Sequence, residues 1–337
     1  MPLTAKMESG MKILAVDDDP IILELLTEVL KVAGFTNLTL CESAHDALQA
    51  IEHARVPFDC LLLDIQMPKM DGVQLTSAVR RLPGYEVAPI LMITAMTDRS
   101  YVDSAFAAGA TDYITKPFEI GEVNARLNLI QDLVTERRQK TDRNPVEAVS
   151  KSTYTVKPED LEARLTLSDI DGFIDYLALE NYLLQVSRIS LFGMQAFGVV
   201  IPDAKRMFRS SSLYEYHAAI TDVAEGISDC LKPRRFFISH AGGGHFICVL
   251  IEGDSIDPTA LEADLNDRLC AMDLHLCDGR PLLVTPVVGD PMTLQLKSGR
   301  SAVNTLVRAL SLAEAAARTP RAAVATPSST LTKLFGF

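Results

Sequence analysis

Residues 59–72 read DCLLLDIQMPKMDG, an apolar run that ends in an acid and then in a turn-rich segment. Leucines in succession, without polar alternation, indicate a strand that is buried on both faces. Asp64 follows the apolar run, and the next residues, DGVQLTSAVRRL, have the periodicity of an amphipathic helix. This stretch therefore predicts a strand of a parallel sheet that has a helical layer on each side.

The same strand-then-helix unit repeats along the first 133 residues. Pro20 and Gly34 mark the two ends of the first helix. Five such units predict an α/β fold, a flavodoxin-like (βα)5 domain with a parallel sheet over residues 11–133. The other four strands are expected at KILAV (12–16), NLTLCE (37–42), APILMITA (88–95) and DYITKP (112–117).

Polar side chains stand where the predicted strands end. The carboxyl ends of parallel strands share one edge of the sheet, so these side chains should meet there. Converging carboxylates repel one another unless a cation binds, and oxygen ligands suit Mg²⁺. Asp64 would then be a nucleophile for a phosphoryl group, with a lysine offsetting its charge and a threonine hydroxyl bonding an oxygen. The alternative is an ordinary acidic rim, which the coincidence of five strand-end residues disfavours: Asp17, Asp18, Asp64, Thr94 and Lys116.

The segments LAVDDDP, LLLDIQMPKMDG, MITA and DYITKPF occur in this order, and with them residues 11–133 resemble the receiver domain of two-component response regulators. The resemblance implies that Asp64 accepts a phosphoryl group from a cognate histidine kinase or phosphotransfer protein. It also implies roles for other positions: Asp18, Asp64 and the backbone carbonyl of Gln66 as Mg²⁺ ligands, Asp17 as a ligand through water, Thr94 and Lys116 as phosphoryl contacts, and Tyr113 as an aromatic switch residue.

After residue 133 the regular alternation of one strand and one helix ends. Residues 134–157 hold six Lys and Arg against three Asp and Glu, which predicts a linker that first prolongs the preceding helix and then breaks at Pro145. Residues 158–318 have the order βαββαβ, including strand PLLVTPVV (281–288), which predicts an antiparallel sheet with helices on one face. Residues 319–337 are expected to be a flexible tail. Its terminal KLFGF is either a frayed end or a docking segment.

Two strands of this second half meet at HAGGGHF, residues 240–246. The topology and this turn resemble the GGDEF domain of diguanylate cyclases, over about residues 165–318. Gly242, Gly243, Gly244, His245 and Phe246 stand where Gly-Gly-Asp/Glu-Glu-Phe would stand. The metal-binding acids of this turn are therefore missing. Asp203 is the one candidate for the metal-binding aspartate that the family has after the first strand of the domain. Pro233 and Phe236 stand at the two ends of the family's product-inhibition motif, Arg-x-x-Asp. We expect a hairpin turn in a degenerate, catalytically inactive domain; a phosphate cradle, or a metal shared by His240 and His245, is disfavoured.

The output is therefore expected to be contact with a downstream protein, not catalysis. The alternatives are an active or divergent diguanylate cyclase and a domain that senses a nucleotide or c-di-GMP. Phosphorylation would alter either homodimerisation or the packing of the second domain. The net charge of −12, of which −9 falls in residues 1–133, argues against nucleic-acid binding. No run is apolar enough for membrane insertion, and six cysteines without paired spacing indicate a cytoplasmic protein.

Overall fold

The computed structural model describes residues 10–95, 99–142, 158–187, 189–253, 255–295, 297 and 299–318. Pro145 and the later part of the expected linker lie outside the described residues, as does the tail with KLFGF. The expected domain limits stay predictions. No described helix is both long and apolar enough to cross a membrane.

The first sheet has five parallel strands in the order β2-β1-β3-β4-β5, and the predicted flavodoxin-like fold is confirmed. Its elements form the N-terminal unit of the chain. They are β1 (Ile13–Val16), α1 (Pro20–Val32), β2 (Leu38–Cys41), α2 (Ala44–Glu52), β3 (Cys60–Asp64), α3 (Gly72–Arg80), β4 (Ile90–Thr94), α4 (Arg99–Ala107), β5 (Asp112–Thr115) and α5 (Ile120–Asp142). Every residue of β1, β3 and β4 is buried, as expected for strands covered on both sides.

The turn between β3 and α3 brings the start of the helix back against the backbone of Asp64. Asp71 caps α3 through a reciprocal pair of hydrogen bonds with Gln74, so the helix begins close to the end of the strand. The first helical residue is Gly72, and a Cβ atom at that position would overlap the carbonyl oxygen of Asp64. Glycine is therefore required for α3 to start this close to β3.

The second sheet is antiparallel and runs β10-β6-β8-β7, with β9 also pairing with β6. The C-terminal unit consists of α6 (Pro158–Glu162), α7 (Tyr176–Gln185), β6 (Gln195–Val200), α8 (Ala204–Ser210), α9 (Leu213–Leu231), β7 (Phe236–Gly242), β8 (His245–Leu250), α10 (Pro258–Ala271), β9 (Val287–Val288), β10 (Met292–Thr293) and α11 (Arg300–Arg318). The predicted strand over 281–288 was too long. Pro281 and Pro286 have no N–H to donate to a ladder, and only Val287–Val288 pairs with β6.

Helices cover both faces of the second sheet, and the prediction of helices on one face was wrong. Ile238 of β7 packs in a core with α9 and α10. The preceding residue, Phe237, points to the opposite face and packs with α7 and α11. Successive strand residues alternate between faces, so an apolar strand such as β7 requires a layer on each side.

One hydrophobic cluster contains residues of both units. Val102 and Phe106 of α4 are buried in the same cluster as Tyr182 and Leu183 of α7 and Phe237 of β7. The helix α4 therefore serves both as a cover of the first sheet and as part of the core of the C-terminal unit.

Candidate functional site

Three carboxylates meet at the carboxyl edge of the first sheet. Asp17 follows β1 and Asp64 ends β3, and both are buried, at 1% and 3% exposure. Asp18 is exposed beside them, and ligand oxygens of all three lie within 4.8 Å of one another. A hard divalent cation such as Mg²⁺ binds through one or two carboxylates and keeps several waters. A cluster of two buried carboxylates and one exposed carboxylate leaves room for those waters on its solvent side and therefore fits Mg²⁺.

Lys116, just after β5, joins two of these carboxylates. Its Nζ donates to Oδ2 of Asp17 at 2.6 Å and to Oδ1 of Asp64 at 2.7 Å. Burial raises the pKa of Asp64 despite the lysine, and the neighbouring Asp17 raises it further. Burial alone would lower the pKa of Lys116, but its bonds to the two carboxylates raise it, so the ammonium stays charged. Two acids share one cation, which leaves an excess of negative charge for a metal to balance.

The remaining predicted residues of this site lie around it. Thr94 ends β4 and is fully buried, and its carbonyl oxygen accepts from Lys116 N at 2.6 Å. The backbone N–H of Gln66 donates to the Asp64 carboxylate, while the role of the Gln66 carbonyl as a metal ligand stays a prediction. Tyr113 of β5 is half-buried, with its ring edge-to-face against Phe106 of α4 at 6.2 Å.

The glycine turn of the second half joins β7 to β8, as expected. Gly242, Gly243 and Gly244 all have positive φ, a conformation that side chains with a Cβ rarely adopt. The turn is packed on two sides: Gly243 N donates to Leu161 O at 2.8 Å, and a Cβ on Gly244 would overlap Ala204 of α8. Helices α6 and α8 thus occupy the space around the turn.

The residues flanking this turn do not converge on one point. His240 is buried and its Nδ1 accepts from Leu165 N at 3.0 Å, whereas His245 directs Nε2 toward Glu314 at 3.3 Å. Phe246 is buried in the core beside His240. Asp203 is exposed and pairs with Arg206. Within the described part of the chain, Asp17, Asp18 and Asp64 form the one set of three potential metal ligands.

Sequence reasoning missed the polar contacts between the two units. Asp103 of α4, 3% exposed, accepts from Tyr182 Oη at 2.7 Å and from Arg235 at 2.8 Å. Asp112 of β5 is likewise buried and bonds to Arg126 and to Gln185 of α7. The sequence does carry one signal for these contacts, because both acids stand at positions that the helix and strand patterns otherwise bury. Nothing in the sequence indicates which residues they contact.

A family model described as the response regulator receiver domain matches residues 13–128. The histidine-protein kinase BarA of Escherichia coli K12 is 36% identical over 120 residues, which is 35% of this chain and 13% of BarA. The DNA-binding response regulator MtrA of Mycolicibacterium smegmatis is 36% identical over 139 residues, covering 41% of this chain and 55% of MtrA.

Among solved structures, the Vibrio cholerae chemotaxis protein CheY4 is 32% identical; the match covers 36% of this chain and 99% of CheY4, with a TM-score of 0.34. This chain thus spans about an eighth of BarA and about half of MtrA, but nearly all of CheY4. Residues 13–128 of the chain are therefore a response regulator receiver domain.

Proposed function

We propose that this chain is a phosphorylation-controlled response regulator in which Asp64 accepts a phosphoryl group from a histidine kinase or phosphotransfer protein. The observation that carries the proposal is the setting of Asp64. It lies at the end of a buried strand, 2.7 Å from the ammonium of Lys116 and within 4.8 Å of two further carboxylates. A nucleophile beside fixed positive charge is suited to phosphoryl transfer.

In the proposed step, a carboxylate oxygen of Asp64 bonds to phosphorus while the bond from phosphorus to the donor breaks, and the donor atom keeps that electron pair. Lys116 compensates the charge on the phosphoryl oxygens and Thr94 offers them a hydroxyl. Mg²⁺, held by Asp18, Asp64 and the Gln66 carbonyl with Asp17 through water, would supply further positive charge to these oxygens.

For the C-terminal unit we propose a degenerate GGDEF-like domain that is catalytically inactive and acts by contact with a downstream protein. Gly244 and His245 occupy the positions at which a cyclase needs metal-binding acids, and glycine offers no ligand. The close packing of Leu161 and Ala204 around the turn favours a structural role over a nucleotide site.

The proposed signal passes from Asp64 through Thr94 and Tyr113 to α4. This helix is already buried against the C-terminal unit through Val102 and Phe106. We therefore place the effect of phosphorylation in the packing of the two units, because a homodimer through the same face would have to displace the C-terminal unit first.

Phosphorylation of the full chain by acetyl phosphate with Mg²⁺, followed by intact-protein mass spectrometry, tests the proposal. The wild type should gain one phosphoryl group, and Asp64→Asn should gain none. Asp132→Asn, at an exposed position of α5, should behave as the wild type. An unmodified wild type, or a modified Asp64→Asn variant, would reject Asp64 as the phosphoacceptor.

The inactive output needs a separate test. Phosphorylated protein incubated with GTP and either Mg²⁺ or Mn²⁺ should form no c-di-GMP; any product would establish a divergent cyclase instead. Calorimetry with GTP and with c-di-GMP should detect no binding, and binding without turnover would indicate a nucleotide sensor. Two proteins serve as baits in a pull-down, the beryllofluoride-loaded wild type and the Asp64→Asn variant. The downstream partner should bind to only one of these two baits.

A further inference from the structure

A short segment of the chain crosses the glycine turn that joins β7 to β8. This segment comprises residues 158–167, which are α6 and the five residues after it, and we call it the strap. Two hydrogen bonds of backbone N–H groups connect the strap to the hairpin. Gly243 N donates to Leu161 O at 2.8 Å, and Leu165 N donates to Nδ1 of His240 at 3.0 Å. The strap therefore lies on the turn and along the end of β7.

The turn accepts the strap because its glycines have no side chains. A Cβ atom on Gly242 would overlap the backbone carbonyl of Glu162, and one on Gly243 would lie 3.1 Å from Oε2 of the same glutamate. The two glycines thus leave a groove against which a second backbone lies closely, and any larger residue would narrow this groove. At this place the glycines serve contact with a peptide chain.

A single leucine anchors α6. Leu161 is the one buried residue of this helix, and it belongs to the same core cluster as Tyr216 of α9 and Phe246 of β8. Leu165 and Leu167, after the helix, are only partly buried against that cluster. A surface segment with so few buried apolar contacts opens locally at a lower free energy than the strands beneath it. The strap is therefore suited to detach while the hairpin stays folded.

The groove also holds a hydrogen-bond donor that the strap leaves unused. His240 is 1% exposed, and its Nδ1 accepts from Leu165 N, so the neutral ring has its proton on Nε2. This Nε2 is buried and has no hydrogen-bond partner among the residues that the structure describes. A buried donor without an acceptor costs free energy. A segment that offered an acceptor to Nε2 would therefore match the groove better than the strap does.

We propose that the groove beneath the strap is the surface through which the C-terminal unit binds its downstream partner, and that the strap is an autoinhibitory occupant of this groove. The partner that fits is a protein segment with three features. It has a leucine or a similar side chain for the position of Leu161, a backbone carbonyl for Gly243 N, and a hydrogen-bond acceptor for Nε2 of His240. The inference rests on the proposed function of the C-terminal unit, which is contact with a downstream protein.

The probe is a fluorescein-labelled peptide of residues 158–169, PEDLEARLTLSD, and its binding to the full chain is followed by fluorescence anisotropy. Leu161→Asp in the protein replaces the apolar anchor by a charge, so the strap should leave the groove and the peptide should bind. A tethered strap has an effective concentration of about 1 mM, and it fills nine-tenths of the groove only if the peptide Kd is below about 0.1 mM. The wild type should therefore bind the peptide at least about tenfold more weakly than Leu161→Asp does. A peptide that itself carries Leu161→Asp should bind to neither protein.

Ala163→Asp is the matched control, because Ala163 belongs to the strap but is exposed, and this variant should bind the peptide as weakly as the wild type does. Hydrogen exchange of the wild type gives a second measurement that needs no variant. The amides of Leu165 and Gly243 are the two that bond the strap to the hairpin, and they should exchange at least about tenfold faster than the amides of β8. This measurement decides the case if Leu161→Asp does not fold.

The inference falls if folded Leu161→Asp does not bind the peptide, if the wild type or Ala163→Asp binds it equally well, or if the strap amides are as protected as those of β8. A partner found in the pull-down should be displaced from Leu161→Asp by excess peptide, and a partner that stays bound would dock elsewhere on the chain. A pull-down in which neither bait binds a partner would instead reject the proposed contact function, whatever the peptide does.

Discussion

The ammonium of Lys116 bridges Asp64 to Asp17, with Nζ 2.7 Å from Oδ1 of Asp64 and 2.6 Å from Oδ2 of Asp17. The two carboxylates come from β3 and from the end of β1, and the lysine follows β5, so three strand ends are held by one cation. The lysine thus already lies beside the carboxylate that we propose as the phosphoacceptor, so the proposed transfer needs little reorganisation of this cation.

Lys116→Met keeps most of the side-chain length and removes the charge. We expect the rate of phosphorylation from acetyl phosphate to fall by about 100-fold, the loss usual when one charge-stabilising donor is removed from a reaction site. Lys31→Met, at an exposed position where the lysine pairs with Glu28, should leave the rate unchanged. An unchanged rate in Lys116→Met would show that the ion pair is structural only.

The acidic cluster predicts a stabilising effect of Mg²⁺. Bound metal should raise the melting temperature of the wild type, since a ligand that binds the native state alone stabilises it by mass action. Asp18→Asn should show a smaller rise, because Asp18 is the exposed member of the cluster and its loss removes one charge. Glu52→Gln, on the surface of α2, should respond to Mg²⁺ as the wild type does. Equal rises in all three proteins would place the metal elsewhere.

The N-terminal fold was predictable because each of its elements has a local signal. Strands β1 and β4 are almost wholly apolar, the first helix has Pro20 and Gly34 near its two ends, and Asp64 ends the apolar run of β3. The run FFI at 236–238, in β7, carries the same signal, because three successive buried apolar residues require a layer on both faces of the sheet. This run indicates the second helical layer of the C-terminal unit.

The contact between the two units could not be predicted in the same way. Asp103 and Arg235 are 132 positions apart, and neither residue has a neighbour that indicates its partner. Pairing of this kind depends on how α4 is placed against β7, which is a property of the assembled chain. The edge-to-face contact between Phe106 of α4 and Tyr182 of α7 is a property of the same kind.

The glycine turn predicts different costs for two glycine substitutions. Gly244→Ala places a Cβ in a backbone with φ of +75° and in overlap with Ala204, whereas Gly279→Ala meets a φ of +82° with open space around it. Backbone strain costs about 1–3 kcal/mol in either case, and Gly244→Ala adds a steric cost. Urea denaturation should therefore show a greater loss for Gly244→Ala. Equal losses would mean that the turn is not tightly packed against α8.

His240 predicts a loss of stability in mild acid. Burial lowers its pKa from 6.5 to about 3, with the nearby His245 and His217 adding to the effect. Above pH 6.5 the histidine is neutral in both the folded and the unfolded state. Between the two pKa values only the unfolded state binds the proton, so stability falls as the pH falls. From about pH 7.5 to about pH 5.5 the loss should be about 1 kcal/mol.

Urea denaturation at these two pH values measures the free energy of unfolding, and the comparison is between the wild type and His240→Asn. The asparagine oxygen can still accept from Leu165 N but does not titrate, so the variant should lose less stability on acidification, even if it is less stable at both pH values. His275→Asn removes an exposed histidine and should retain the wild-type dependence. His217 also has a pKa lowered by burial, so part of the dependence should persist in His240→Asn. A dependence as steep as that of the wild type would place the titrating group elsewhere in the chain.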